Sequence, residues 1–374
     1  MANTKSNKVR VLIVDDSAFM CKVLENIFNA DSQLQVAGHA KDGREAVALA
    51  ESLKPDVITM DINMPHMDGL QATAQIMTTN PRPIVIVSSE SREGASSTLK
   101  SLELGAIEFV AKPSGAIDLD MQSVREELLR KVKMAAKVRV VRTASRLAAT
   151  LQSGSSAHAP GARPAPAAPR ASGNLEQRFP VVVLAASTGG PATVMRLAPG
   201  FTKEFPAAVI VVQHMPASFT TQYAAQLAEF TEIRVKEAEN GEILQPGTLY
   251  ICPGSQHLKV HPLGRIQLDG TTGRVNGYLP SIDMTMESVA AFAGGLSIGA
   301  ILTGMGADGA AGAKAIKQAG GLVIAQDEAS SVIFGMPAEA IKLHVVDHVL
   351  AIDDIYAAIE RRVLALARTP VGVR

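Results

Sequence analysis

Little in this 374-residue chain commits it to a special environment. It has only two cysteines, Cys21 and Cys252, far apart and in neither metal nor redox spacing. That excludes a disulfide framework and fits a reducing compartment. It has no excess of either charge, with 36 basic and 36 acidic residues. Nothing therefore draws it toward nucleic acid or an anionic membrane. No apolar run reaches the roughly 18 residues that a spanning helix needs. The segment from Met1 to Arg10 is polar and lacks the apolar stretch of a signal peptide. The expectation is a cytoplasmic protein with no nucleic-acid partner and no membrane insertion. Its length suits two ordinary domains, and a hydrophobic content of 47% allows sizeable cores.

The chain divides three ways. From residue 8 to about 130, short β-rich runs alternate with helical patterns. The runs are Val9 to Val14, Leu34 to Gly38, Val57 to Met60, Ile84 to Val87 and Ile107 to Val110. Between them, segments such as Ala18 to Ala30 and Arg44 to Leu53 space apolar residues for a helix. Residues 131–178 read as a helix tail followed by a flexible linker. Its stretch Ser153 to Gly173, full of Ala, Pro, Gly and Ser, cannot bury a core. From 179 to about 370 a second series begins, with runs at Val181 to Ala185, Ala208 to Val212, Ile298 to Leu302 and Leu322 to Ala325. Gly and Pro punctuation between about 233 and 270 suggests strands and hairpins inserted in this second sheet. The fold class is α/β: two doubly wound, mostly parallel-sheet domains, the first a (βα)5 unit.

In the first domain, Asp15 and Asp16 end strand one, Asp61 ends strand three, and Lys112 follows strand five. In an open α/β sheet these ends border one crevice. Three carboxylates there repel one another unless a hard cation joins them, and Mg²⁺ takes oxygen ligands while keeping waters for a phosphate. Asp61 could then attack a phosphoryl group, with Lys112 neutralising it and Ser88 donating to it. Aspartates after strands are often only turn residues. The full set, with Met64-Pro65-His66-Met67-Asp68-Gly69 and Lys112-Pro113, is too specific for that alone.

These motifs resemble the response-regulator receiver family over roughly residues 8 to 130. The run Val11-Leu12-Ile13-Val14-Asp15-Asp16-Ser17 is similar to its first strand and acidic pair, and Met60 to Gly69 to its phosphoacceptor strand and loop. The resemblance implies that Asp61 is phosphorylated. It implies that Asp15, Asp16 and Asp61 bind Mg²⁺ together with the Asn63 carbonyl, and that Ser88 and Lys112 sense the phosphoryl group. Phe109 falls where the family has an aromatic switch.

In the second domain, Val181 to Pro191 reads as strand, sharp turn and helix start, with Ser187 at the turn. Gly189-Gly190 lets the backbone approach a substrate, and N–H groups at a helix start favour an oxyanion. Ala185 stands where a G-x-S-x-G elbow has its first glycine. His214 ends the next strand, and Asp308 lies just past another, in Thr303-Gly304-Met305-Gly306-Ala307-Asp308-Gly309. Serine, histidine and carboxylate would converge on one sheet edge. Taken singly, Ser187 could be a helix cap and His214 a packed rim histidine. Asp327 also follows a strand, and spacing alone cannot choose between it and Asp308. Cys252 has no evident base, and His257 and His261 show no metal spacing.

Gly304-Met305-Gly306-Ala307-Asp308-Gly309 also matches the dinucleotide fingerprint G-x-G-x-x-G, with Asp327 at a suitable distance for a ribose. A dinucleotide-dependent enzyme is thus one rival reading, although it leaves Ser187 and His214 unexplained. A response regulator whose output is binding, for example to DNA, is the other. Neutral charge and the lack of a basic recognition helix argue against it.

With these residues in view, nearly the whole chain resembles the chemotaxis protein-glutamate methylesterase family, CheB. Ala186 to Pro191, Val212 to Pro216 and Leu302 to Gly309 match its catalytic segments. The resemblance implies Ser187 as nucleophile, His214 as base and Asp308 as third member, in a catalytic domain spanning 179–370. Thr188, Gly189 and Met305 are the candidate oxyanion donors. The implied partners are methyl-accepting chemotaxis receptors as substrates and a chemotaxis histidine kinase as phosphodonor. Removal of receptor methyl esters and deamidation of receptor glutamines are the implied reactions. Mg²⁺ is implied for phosphorylation, and no cofactor for the esterase.

Overall fold

A computed structural model describes residues 8–88, 92–112, 118–138 and 179–368. The first sheet holds five parallel strands in the order β2-β1-β3-β4-β5. They are β1 (Val9–Val14), β2 (Leu34–Ala40), β3 (Val57–Met60), β4 (Ile84–Ser88) and β5 (Glu108–Ala111). Helices α1 (Ala18–Asn29), α2 (Gly43–Leu53), α3 (Gly69–Thr79), α4 (Arg92–Glu103) and α5 (Asp118–Ala135) connect and follow them. Every residue of β3 and β4 is buried, as expected of strands covered on both faces. The helices start where short polar side chains accept from the otherwise unpaired backbone N–H groups of the first turn. Ser17, Asp42 and Asp68 accept the Met20, Glu45 and Gln71 amides, each cap contributing about 1 kcal/mol.

The second sheet has seven strands in the order β14-β13-β12-β6-β7-β9-β8, all paired in parallel. Its central strands are β6 (Val181–Ala186) and β7 (Ala208–Gln213), with β12 (Ser297–Ile301) on the far side of β6. Beyond β12 lie β13 (Leu322–Gln326) and the short edge strand β14 (His348–Leu350). Every residue of β6, β7 and β12 is buried. Helices α6 (Gly190–Leu197), α7 (Ala217–Leu227), α8 (Ile282–Ala293), α9 (Ala310–Gln318), α10 (Met336–Lys342) and α11 (Ile352–Arg368) flank it.

The insertion holds both strands and a hairpin. β8 (Arg234–Glu237) and β9 (Thr248–Ile251) extend the main sheet in parallel, and only β10 (His257–Val260) and β11 (Ile266–Asp269) form a hairpin, in a sheet of their own. The short run Arg234 to Glu237 carries three charges, so its sequence hides a strand that covers an edge.

The first unit lies against the second along α4 and α7. The rings of Phe109 and Phe219 are 4.5 Å apart, and the Gln226 amide donates to the Glu103 carboxylate. The expected linker, Ser153 to Gly173, and Pro113 fall outside the described residues. Among the described residues no helix is long and apolar enough to cross a membrane.

Candidate functional site

Two groups of side chains stand at strand ends. In the first sheet, Asp15 and Asp61 follow the adjacent strands β1 and β3 and are buried, whereas Asp16 is exposed. One carboxylate oxygen from each of Asp15, Asp16 and Asp61 lies within 4.8 Å of the others. Lys112 reaches in from the end of β5, its Nζ 2.9 Å from both Asp15 Oδ2 and Asp61 Oδ2. Burial pushes the Asp61 carboxyl above the usual range, and the Lys112 ammonium only partly offsets this. Burial alone would lower the Lys112 pKa, but its bonds to the two aspartates outweigh that and raise it.

Ser88 is buried at the end of β4, and its carbonyl accepts the Lys112 amide at 2.7 Å. Asn63 is exposed in the loop after Asp61. Gly69 is required there, because a Cβ would lie 2.0 Å from the Asp61 carbonyl oxygen. Phe109 is buried, with the Lys131 ammonium 5.0 Å above its ring and Phe219 of the second unit beside it.

In the second sheet the order of strands places the chemistry. β6 is followed in sequence by β7 on one side and flanked by β12 on the other, which opens a crevice at their C-terminal ends. Ala186 pairs with Gln213, so Ser187 and His214 are the next residues on neighbouring strands. The His214 amide donates to the Ala186 carbonyl and the Ser187 amide to the Thr303 carbonyl, both at 3.1 Å.

His214 Nε2 is 2.8 Å from Asp308 Oδ2. Asp308 is 4% exposed and accepts three further bonds at the start of α8, from the Ile282 and Asp283 amides and the Ser281 hydroxyl. Burial alone would raise its pKa, but His214 and the two amides overcome burial and hold it below the ordinary range. Against an ionised acceptor, Nε2 carries the ring proton, which leaves Nδ1 as the basic nitrogen.

Asp327 is elsewhere engaged: its Oδ1 accepts the Ser330 amide and hydroxyl in the turn after β13. It is Asp308, and not Asp327, that meets His214. Cys252 is fully buried and its thiol is pushed strongly upward by desolvation, the opposite of an activated nucleophile. His257 is fully buried as well.

The glycine fingerprint has local causes. A Cβ at Gly304 would lie 2.2 Å from Met336 Sδ and 2.8 Å from Ser187 Cβ. At Gly306, where φ is +97°, it would lie 2.0 Å from Tyr278 Oη. Gly309 has φ +99° and caps α9. The space beside the turn is filled by this chain's own atoms, which explains the glycines without a dinucleotide. Gly190 likewise makes room for Gln213, whose side-chain amide donates to the Ser187 carbonyl at 2.7 Å and to the His214 carbonyl at 3.1 Å.

Sequence reasoning missed Gln213, Ser281 and Tyr278. Gln213 was visible only as a polar residue closing an apolar strand. Ser281 and Tyr278 lie in an irregular loop where no periodicity points inward. The structure stacks the Tyr278 ring on His214, with centroids 4.6 Å apart and planes 14° from parallel.

Two family models match, the response regulator receiver domain over residues 11–152 and the CheB methylesterase over residues 182–359. A protein-glutamate methylesterase/protein-glutamine glutaminase of Archaeoglobus fulgidus is 43% identical over 361 residues, 94% of this chain and 97% of its own. One of the same name from Pyrococcus abyssi is 40% identical over 359 residues, 95% of this chain and 94% of its own. The crystal structure of the Thermotoga maritima CheB methylesterase catalytic domain is 40% identical and covers 49% of this chain and 98% of that one, with a TM-score of 0.47.

The two family models and the two full-length relatives define a class, a response regulator whose receiver is joined to an α/β effector domain. Within that class, the chain belongs to the CheB family of protein-glutamate methylesterases/protein-glutamine glutaminases.

Proposed function

We propose that this protein is a phosphorylation-controlled serine hydrolase. It removes methyl groups from glutamyl methyl esters of methyl-accepting chemotaxis receptors and deamidates receptor glutamines to glutamate. The observation that carries this reading is the contact of half-buried His214 with buried Asp308, 2.8 Å apart, on the strand end next to Ser187. His214 Nδ1 takes the proton of the Ser187 hydroxyl as its oxygen attacks the ester carbonyl. The same proton then leaves with the methoxide as methanol. Water attacks the acyl-enzyme and passes a proton to Nδ1, which returns it to the Ser187 oxygen as the acyl bond breaks and glutamate is released. With a glutamine side chain, ammonia leaves instead.

Oxyanion stabilisation is assigned to the amides of Thr188, Gly189 and Met305. Among the described residues none of the three donates a hydrogen bond elsewhere. Asp308 stays charged throughout and holds the imidazolium.

Control resides in the receiver. Asp61 accepts the phosphoryl group from a chemotaxis histidine kinase, Lys112 binds it, and Ser88 donates to it. The three carboxylates fit Mg²⁺: all donors are oxygen, they converge from neighbouring strand ends, and the Lys112 ammonium beside Asp15 and Asp61 balances only part of their charge. Asp15, Asp16, Asp61 and the Asn63 carbonyl would hold the ion, which neutralises phosphoryl charge when bound. The Arg130 guanidinium of α5 lies 3.8 Å from Met305 Sδ, beside the proposed oxyanion donors. Such a placement supports a receiver that restricts access until phosphorylation moves Ser88 and Phe109 and loosens the Phe109–Phe219 contact.

The proposed division is a receiver over 8–130, a helix tail and linker over 131–178, and a catalytic domain over 179–370, in a cytoplasmic protein. The test is methanol release from methylated receptor membranes, with and without acetyl phosphate and Mg²⁺. No methanol under either condition would refute the hydrolase reading.

A further inference from the structure

The loop between β11 and α8 does more than connect them. Its two ends are pinned by one buried residue. His257 Nε2 is 2.6 Å from the Gly273 carbonyl oxygen, and His257 Nδ1 accepts the Ser281 amide at 3.0 Å. These partners fix the neutral tautomer with the proton on Nε2. Between the pins, Val275 and Tyr278 exchange two backbone hydrogen bonds of 2.9 Å and close a tight turn. The turn presents the Tyr278 ring to the face of His214, nearly parallel to it. Tyr278 Oη rests against Gly306, where a side chain would collide with it. At the second pin, Ser281 also caps α8, and its hydroxyl donates to Asp308. One loop therefore touches both His214 and Asp308.

This matters because a hydrogen bond at one ring nitrogen does not fix a ring. The bond from Nε2 to Asp308 leaves the imidazole free to tilt about it. In the general-base reading Nδ1 must meet the Ser187 hydroxyl, so a tilt misplaces it, and small misplacements of a base are expensive in rate. A second ring against the face removes that freedom. The aromatic face also favours the positive charge that the ring acquires as it takes the serine proton.

We propose that Tyr278 is a positioning residue for His214, held in place by His257 and by the space left at Gly306. The proposal rests on the reading of His214 as the general base. It assigns the role to the aromatic ring, and the phenol hydroxyl serves only to seat it.

The test uses full-length protein activated with acetyl phosphate and Mg²⁺, on methylated receptor membranes. Tyr278→Leu is expected to lower kcat about tenfold, the scale of a lost aromatic pair, with KM within about twofold. Tyr278→Phe keeps the ring and is expected to stay within about threefold of the parent. In histidine-labelled protein, the ring-proton signal of His214, assigned by its loss in His214→Gln, should lie upfield from ring current. It should move downfield in Tyr278→Leu and stay in Tyr278→Phe.

A Phe variant as slow as the Leu variant would overturn the proposal, because the hydroxyl would then be the active group. So would a rise in KM at constant kcat, which would mark a substrate contact. An unchanged His214 signal in Tyr278→Leu would refute the stack itself. If the parent protein releases no methanol, it is the hydrolase reading that fails, and the His214 signal still decides whether Tyr278 holds the ring.

Discussion

Replacing Asp308 by asparagine keeps the shape of the side chain while reversing the polarity of one of its two terminal atoms. Asp308 Oδ1 faces the Asp283 amide and the Ser281 hydroxyl, and Oδ2 faces the Ile282 amide and His214 Nε2. An amide placed with NH₂ at the Oδ1 position meets the Asp283 N–H, donor against donor. Turned over, it meets the Ile282 N–H and also forces Nε2 of His214 to accept, which moves the ring proton to Nδ1. Neither orientation satisfies all four partners. The structural cost of an unpaired buried group is about 1–3 kcal/mol. The rate suffers more, because one orientation gives the wrong tautomer and both lose the charge that holds the imidazolium. A loss of about 10⁴ in kcat is expected.

Asp327→Asn serves as the control. Asp327 caps a local turn through Ser330 and does not meet His214, so its replacement should cost about 1 kcal/mol and leave the rate within about threefold. The assay is methanol release on phosphorylated full-length protein, with denaturant unfolding in parallel. A pH series gives an independent check. The Asp308 carboxyl is held below its ordinary pKa, so its contribution to stability is fully present above the unfolded value of about 3.9. It is lost as pH falls through the lower folded value. The stability gap between parent and Asp308→Asn should therefore be constant near neutrality and shrink on strong acidification. An Asp308→Asn protein within about tenfold of the parent, or one faster than Asp327→Asn, would refute the assignment.

Ser187→Ala should fold normally and lose about 10³ or more of its methanol release, measured beside a circular dichroism spectrum. Removing residues 1–150 should raise basal release above that of unphosphorylated full-length protein, and Asp61→Asn should abolish the response to phosphodonor while basal turnover stays. A 175–374 fragment no faster than the full chain would end the lid mechanism and leave the esterase assignment intact. Lys112→Met should destabilise the receiver, since Asp15 and Asp61 would face each other without their shared ammonium, and added Mg²⁺ should restore part of the loss in a denaturant titration. Because burial raises the Asp61 pKa, its nucleophilic carboxylate should be lost on acidification at a higher pH than an ordinary aspartate's. A carbon-13 titration of the Asp61 carboxyl in metal-free protein reads that limb, and a midpoint at or below the ordinary carboxylate range would contradict it.

Much of this protein is written along the chain. Alternating apolar runs and helical spacings determined two parallel sheets, because a buried strand must be apolar and a strand-to-helix turn must be polar. The same logic put Asp15, Asp61, Lys112, Ser187 and His214 at strand ends, where side chains leave the sheet. What the sequence could not decide was anything that depends on strands far apart in number being neighbours in space. Asp308 and Asp327 stand equally well after strands, and only the start of α8, folded against the loop after β12, supplies the amides that hold Asp308 beside His214. The G-x-G-x-x-G turn looked like a nucleotide cradle until Met336, Ser187 and Tyr278 were seen to fill the space beside its glycines. Tyr278 itself lies in an irregular loop, and nothing local aims its ring at His214. That aim comes from His257, which ties the loop's two ends together from inside the fold. Periodicity records which face of an element is buried, and tertiary packing decides what that face meets.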